Sequence, residues 1–184
     1  MRANLRNEDG FMLVELLLAC VILSVALLAL MAVYDSSFIS LHKAAQKTAA
    51  ATLAQNQLEL FSALSYDNVG LDASSLTAAA ADSTYSSDEA SLTPSGGTDV
   101  TLAAACSETQ CLPIQTLTGS DRRSYTVETF IRDVEDIGYS GRPERLVTVI
   151  VRDPSSTGSP IVAQQSSAYD AGPATGTTTV EGGG

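Results

Sequence analysis

One stretch constrains this chain more than any other: from Phe11 to Val33 there is a single charged residue, Glu15, one hydroxyl, Ser24, and neither glycine nor proline. About 20 residues at 1.5 Å rise cross the hydrocarbon core of a bilayer, so an apolar run of this length predicts a membrane-spanning helix. Glu15 is the exception within it. A carboxylate inside a membrane segment costs roughly 2.5–3.5 kcal/mol on insertion scales unless something pairs with it. A plain anchor would carry leucine there.

A short polar leader ends in Gly10, Phe11 follows, and Glu15 stands four residues further on inside Leu13-Val14-Glu15-Leu16-Leu17. This arrangement resembles the type IV prepilin signature, shared by type IV pilins, minor pilins and the pseudopilins of secretion and DNA-uptake systems. The resemblance covers about the first 35 residues. It implies cleavage between Gly10 and Phe11 by a prepilin peptidase, and N-methylation of Phe11 as the new first residue. It also implies assembly through Glu15, which would meet the Phe11 ammonium of a neighbouring subunit. An ion pair away from water is far better than an isolated buried carboxylate. The implied partners are the peptidase, other pilin or pseudopilin subunits, membrane lipid before assembly, and an inner-membrane platform with its ATPase motor. Glycine at the cut leaves the peptidase unobstructed and is expected to break the helix, presenting the bond in extended form.

The leader carries Arg2 and Arg6, and no basic residue follows until Lys43. That asymmetry keeps the leader cytoplasmic and places the remainder outside; the resemblance implies a single-pass protein of a bacterial inner membrane, its head extracytoplasmic, bound for a pilus or pseudopilus. Plainer alternatives are a signal anchor that tolerates Glu15 near the headgroups, and a secretory signal peptide. The second lacks a convincing small-x-small site around Ala29–Ala32 and has too long an apolar run. The chain departs from many pilins in having Met12 where a hydroxyl residue is common. It also has no glycine or proline between Phe11 and Val69. A helix breaker is frequent in major pilins, so its absence favours a minor pilin or pseudopilin; a major pilin and a non-polymerising membrane-anchored binding protein are the alternatives.

Asp35-Ser36-Ser37 marks emergence into water. Phe38, Leu41, Ala45, Ala49, Leu53, Leu60 and Leu64 then recur at three- and four-residue steps, an amphipathic stripe that predicts continuation of the helix to about Leu64. Such a helix would be roughly 80 Å long, ending at Tyr66-Asp67-Asn68-Val69-Gly70. Residues 71–99, rich in Ser, Ala, Thr, Asp and Gly, predict a loop with a short helix near Ser75–Ala81. Asp99–Ala103 reads as a short strand. Tyr125–Arg132 alternates, with Tyr125, Val127, Thr129 and Ile131 on one face, and Leu146–Arg152 is β-branched. Asp153-Pro154 and Thr157-Gly158 make a turn into a third strand at Pro160–Ser167. Asp133–Glu144 reads as a charged loop and Ala171–Gly184 as a mobile tail.

The expected fold is α+β and pilin-like: a long N-terminal helix packed on a small antiparallel sheet. Its expected divisions are the leader 1–10, membrane or filament-core helix 11–34, amphipathic helix 35–65, head 66–170 and tail 171–184. The net charge of −11 repels phosphates and gives no reason to expect nucleic-acid binding. Cys20 acts as a small apolar residue. Cys106 and Cys111 flank four residues and, in an oxidising compartment, read as a short-loop disulfide; a metal site would need further ligands, and the single histidine, His42, is far off in sequence. His42 and Lys43 are expected in solvent. Asp82, Asp88, Glu89 and Asp99 lack calcium-loop regularity. No Ser-His-Asp, Cys-His or phosphate-loop pattern occurs, and the pair Glu135 and Asp136 lies in the charged loop, so no enzymatic activity and no cofactor are expected.

Overall fold

The computed structural model describes the backbone of residues 9–92, 99–134 and 144–170, and side chains from residue 13 onward. The expectations for the leader 1–8, for Pro94, Gly96 and Gly97, for the loop containing Glu135 and Asp136, and for the tail 171–184 lie outside the described residues. The chain divides into two compact units, Met1–Ala45 and Gln46–Gly184, both served by helix α1 (Asp9–Ser62).

In the first unit α1 carries the apolar run. Its leucines and valines from Leu13 to Val33 are all more than half exposed. Ser24 Oγ donates to Cys20 O at 2.7 Å and Ser37 Oγ to Val33 O at 2.8 Å, so neither hydroxyl needs a partner outside the helix. Gly10 lies within α1 rather than breaking it. In the first turn no residue has to donate an internal hydrogen bond, and the leucine-rich run that follows outweighs the ~1 kcal/mol disadvantage of glycine.

The second unit is a three-layer α/β/α arrangement. Four strands, β1 (Ile114–Thr118), β2 (Ser124–Val134), β3 (Glu144–Arg152) and β4 (Ile161–Asp170), form an antiparallel meander in sequence order. The last turns of α1 cover one face. Ala49, Ala50, Ala54, Leu58 and Phe61 pack on Tyr125, Val127 and Ile131 of β2 and Val147, Val149 and Val151 of β3. Alanines let helix and sheet approach closely. Gly119, in the β1–β2 turn, shows how closely: an added Cβ would lie 2.8 Å from Tyr125 Cε2 and 3.2 Å from the Ala49 methyl.

The buried stripe differs from the one read from the sequence. Phe38 and Leu41 are 58% and 65% exposed, Ala45 is exposed, and Leu60 is 43% exposed. Ala49 and the partly buried Leu53 and Leu64 do face the core, but Ala50, Ala54 and Phe61 are its centre. A 3.6-residue helix drifts across any fixed three/four pattern, and only the sheet decides which face is covered. The helix also ends two residues early, at Ser62, and a 3₁₀ turn (Tyr66–Asn68) follows. Arg145 Nη1 holds that turn by donating to Tyr66 O at 2.7 Å and Val69 O at 2.8 Å, while its guanidinium stacks 4.4 Å over the Tyr66 ring.

The opposite face of the sheet carries α2 (Ala73–Ala79) and α3 (Ser83–Ser91). The expected single short helix thus becomes two, each opened by an aspartate. Asp72 accepts from Ser75 N at 2.9 Å, and Asp82 accepts from Thr84 N at 2.7 Å. Tyr85 stacks on Phe130 with centroids 4.4 Å apart, and Ala79, Leu92 and Ile150 complete a second core. The expected strand Asp99–Ala103 is instead a thread with isolated bridges, Leu71 to Thr101 and Asp99 to Arg132. Here the Asp99 side chain takes one backbone and one side-chain hydrogen bond: Oδ1 accepts from Ile131 N at 2.9 Å and Oδ2 from Tyr85 Oη at 2.9 Å. Strand β1 falls outside the expected strands, and β4 runs three residues past its expected end.

Phe61 is wholly buried at the centre of the first core. Phe61→Ala is expected to destabilise the second unit by about 3–5 kcal/mol in urea denaturation of the detergent-solubilised chain. A loss under ~1 kcal/mol would show that α1 is not the element that closes this core.

Candidate functional site

The residues singled out at the N-terminus lie together on one helical segment. Gly10 and Phe11 sit within the first turn of α1, and Glu15 follows one turn later with its side chain exposed. Between Leu13 and Val33 the polar side chains are Glu15, the free and exposed Cys20, and Ser24, whose hydroxyl is satisfied by its own helix. An 18-residue window of this helix reaches a mean hydropathy of 3.0 with none of it buried. The segment is long and apolar enough to cross a membrane. Between Leu13 and Val33, Glu15 is the one acidic or basic residue that such a crossing, or a bundle of such helices, would have to accommodate.

In the second unit Cys106 and Cys111 are joined by a disulfide, with Cα atoms 6.0 Å apart. Asp72 ties this small loop to α2. Besides capping the helix, its carboxylate accepts from Ser74 Oγ at 2.5 Å and Cys106 N at 3.1 Å, and its own N–H donates to Cys111 O at 2.9 Å. The Ser74 hydroxyl and the Ser75 and Cys106 amides hold this carboxyl well below the usual carboxylate range. A cleft of about 300 Å³ opens beside it, lined by Asp72, Ser74, Ser75, Cys106, Ser107 and Leu112 among others.

Two clusters went unnoticed in the sequence. Between α3 and the sheet, Arg152 is gripped by Asp88: Nε donates to Oδ2 at 2.8 Å and Nη2 to Oδ1, while Nη1 donates to Ser159 O at 2.5 Å. Glu128, 2% exposed, approaches the same guanidinium at 3.5 Å. Burial, then the neighbouring Asp88 carboxylate, pushes the Glu128 carboxyl up to about 8. Burial likewise raises Asp99 to about 6, partly offset by the hydrogen bonds from Tyr85 and Ile131. The Arg152 guanidinium between the Asp88 carboxylate and the Glu128 carboxyl, packed under a helix, is a latch that joins α3 to β2 and β3. The second cluster is a cleft of about 460 Å³ between α1 and β4, lined by Gln55, Leu58, Glu59, Ser62, Gln165 and Tyr169 among others, with Tyr169 Oη donating to Leu58 O at 2.7 Å. Neither is visible as a motif, because each joins residues far apart in the chain.

Among the described residues no three His, Cys, Asp or Glu side chains converge as a metal site would require. His42 and Lys43 are exposed on α1. Comparison with protein-family models, with curated proteins and with solved structures finds no match.

Glu128 has a testable signature. Its folded value lies above its ordinary 4.5, so the folded state holds a proton that the unfolded chain has released, and stability falls as pH rises from 4.5 towards 8. Asp99 acts with the same sign only up to about pH 6. Between about pH 6 and 8 the wild type should therefore lose about 1–2 kcal/mol relative to Glu128→Gln in urea denaturation. Equal slopes would mean that Glu128 is ionised in the folded protein throughout.

Proposed function

We propose that this protein is a filament subunit of the type IV pilin class, a minor pilin or pseudopilin, matured by cleavage after Gly10 and assembled through α1. The observation that carries the proposal is the joint placement of Phe11 and Glu15 at the start of a helix whose apolar side chains are exposed on every side. Such a surface needs a non-aqueous cover, first lipid and then the helices of neighbouring subunits. Bundled head-to-tail, these helices make a heterologous contact that repeats without closing. Glu15 sets the register by pairing with the ammonium of Phe11 on the adjacent subunit, which makes assembly relieve the cost of carrying a carboxylate in the membrane. The uninterrupted course of α1 from Asp9 to Ser62 supports the minor-pilin or pseudopilin reading over that of a major pilin. The capped, disulfide-braced unit that follows is the extracytoplasmic head.

Intact mass and N-terminal sequencing of the protein from its native membrane should give a chain that begins at methylated Phe11. A chain that retains residues 1–10 would rule out the processing step. Glu15→Leu should insert into the membrane as well as the wild type, or better, and be lost from sheared filaments. Undiminished incorporation of that variant would remove the role assigned to Glu15.

A further inference from the structure

We infer that the end of the head at which the chain enters carries a cationic surface that docks on anionic phospholipid headgroups. The second unit begins at Gln46, whose Nε2 donates to Asp153 Oδ2 at 2.5 Å. Asp153 opens the β3–β4 turn, and the β1–β2 turn lies beside it, since Thr126 pairs with Arg152 across the two strands. Both turns therefore stand at the entry end, next to the Lys47 turn of α1.

Charge is sorted along this unit. Its described basic residues are Lys47, Arg122, Arg123, Arg132, Arg145 and Arg152. The last three are turned inward: Arg132 donates to Glu89 O, Arg145 to Tyr66 O and Val69 O, and Arg152 to Asp88. The three exposed ones, Lys47, Arg122 and Arg123, all lie at the entry end. Arg122 is held out by a left-handed backbone, φ 64°, a conformation that costs a side chain of its size free energy and keeps it at the tip of the turn. The acidic groups nearby are occupied within the fold. Asp121 accepts from Tyr125 Oη at 2.6 Å and Arg123 N at 3.2 Å, and Asp153 accepts from Ser155 N, Ser155 Oγ and Ser156 Oγ. Arg123 lies 3.7 Å from Asp153 yet keeps 53% of its side chain exposed. Exposed carboxylates such as Glu59, Asp67, Asp133 and Asp170 sit elsewhere on the unit. In a chain of net charge −11, this sorting leaves one end suited to an anionic surface.

The apolar segment supplies that surface. Exposed Phe38, Ile39 and Leu41 extend its hydrophobic character past Asp35, and Leu41 precedes Lys47 by six residues. Six residues span no more than about 20 Å even when fully extended, which bounds the distance from Leu41 to Lys47 whatever the orientation of the head. Juxtamembrane lysines and arginines are attracted by anionic lipid, and the attraction fades within a Debye length. Docking would hold the subunit's head against the bilayer until filament contacts replace it. The inference rests on the membrane-inserted part of the reading above and is independent of filament assembly.

The test uses the full chain with Cys20→Ala and a fluorophore on Ser120→Cys, in the β1–β2 turn. The chain is reconstituted in nanodiscs of phosphatidylcholine alone or mixed with phosphatidylglycerol. Quenching by headgroup-nitroxide lipid should rise at least about threefold with phosphatidylglycerol, fall back in about 0.5 M salt, and be lost in Lys47→Gln/Arg122→Gln. Among the described residues those two side chains make no hydrogen bond, and the salt arm requires no mutation. Equal quenching in both lipids, or quenching that follows the number of chains per disc and not the phosphatidylglycerol content, would overturn the inference; the latter would identify a second copy as the occupant. Failure of the chain to enter discs at all would remove the membrane-inserted reading and this inference with it, whereas normal entry without lipid dependence would remove this inference alone.

Discussion

The fold of the head depends on how closely the alanine face of α1 approaches the two central strands. Ala49, Ala50 and Ala54 are small enough to let the valines of β2 and β3 pack close against α1, and Phe61 fills the centre. Burial of each valine or phenylalanine side chain among them contributes about 1.5–3 kcal/mol. One helix is narrower than four strands, however. The meander therefore has an inner pair, β2 and β3, covered on both faces, and outer strands left half-exposed, as the alternating pattern of β4 records.

Covering the second face has an electrostatic consequence. Phe130 and Ile150 call for an apolar lid, which α2 and α3 provide through Ala79, Tyr85 and Leu92. The neighbouring positions on that face, Glu128 and Arg152, are then buried with it. They are tolerable because Asp88 arrives on α3 to grip the guanidinium, and because Glu128 can hold its proton. A buried ion cluster of this kind adds little net stability when complete, but becomes costly if one member is removed. It makes the placement of α3 specific.

Along α1 two surfaces are written for two surroundings. Leu13 to Leu41 presents branched and aromatic side chains in all directions, far more apolar surface than a water-soluble protein leaves uncovered. Beyond Gln46 the same helix turns to small residues on the buried side and Lys47, Gln55 and Glu59 elsewhere. Phe38 and Leu41 share the three- and four-residue spacing of Ala49 and Leu53, yet both lie outside the head core. Spacing identifies an amphipathic helix; it does not say where its partner begins.

The apolar run, the lone Glu15, the strand character of β2 and β3, and the nearby cysteine pair were legible because each depends on adjacent or regularly spaced residues. The helical state of 83–91 is not legible although Asp82 is a recognisable N-cap, since Ser, Thr and Asp are weak helix formers that gain their helix here from Tyr85 packing on Phe130. The burial of Glu128 and Arg152, the occupied carboxylate of Asp99 and the gathering of Lys47 with Arg122 and Arg123 could not be read at all. Hydrophobic length and backbone propensity are local properties, so the sequence alone determined that there is a membrane-competent helix followed by an α+β head. Which face of the helix is covered, which charges are buried, and which are left exposed depend on contacts between distant residues, and only the tertiary structure decided them.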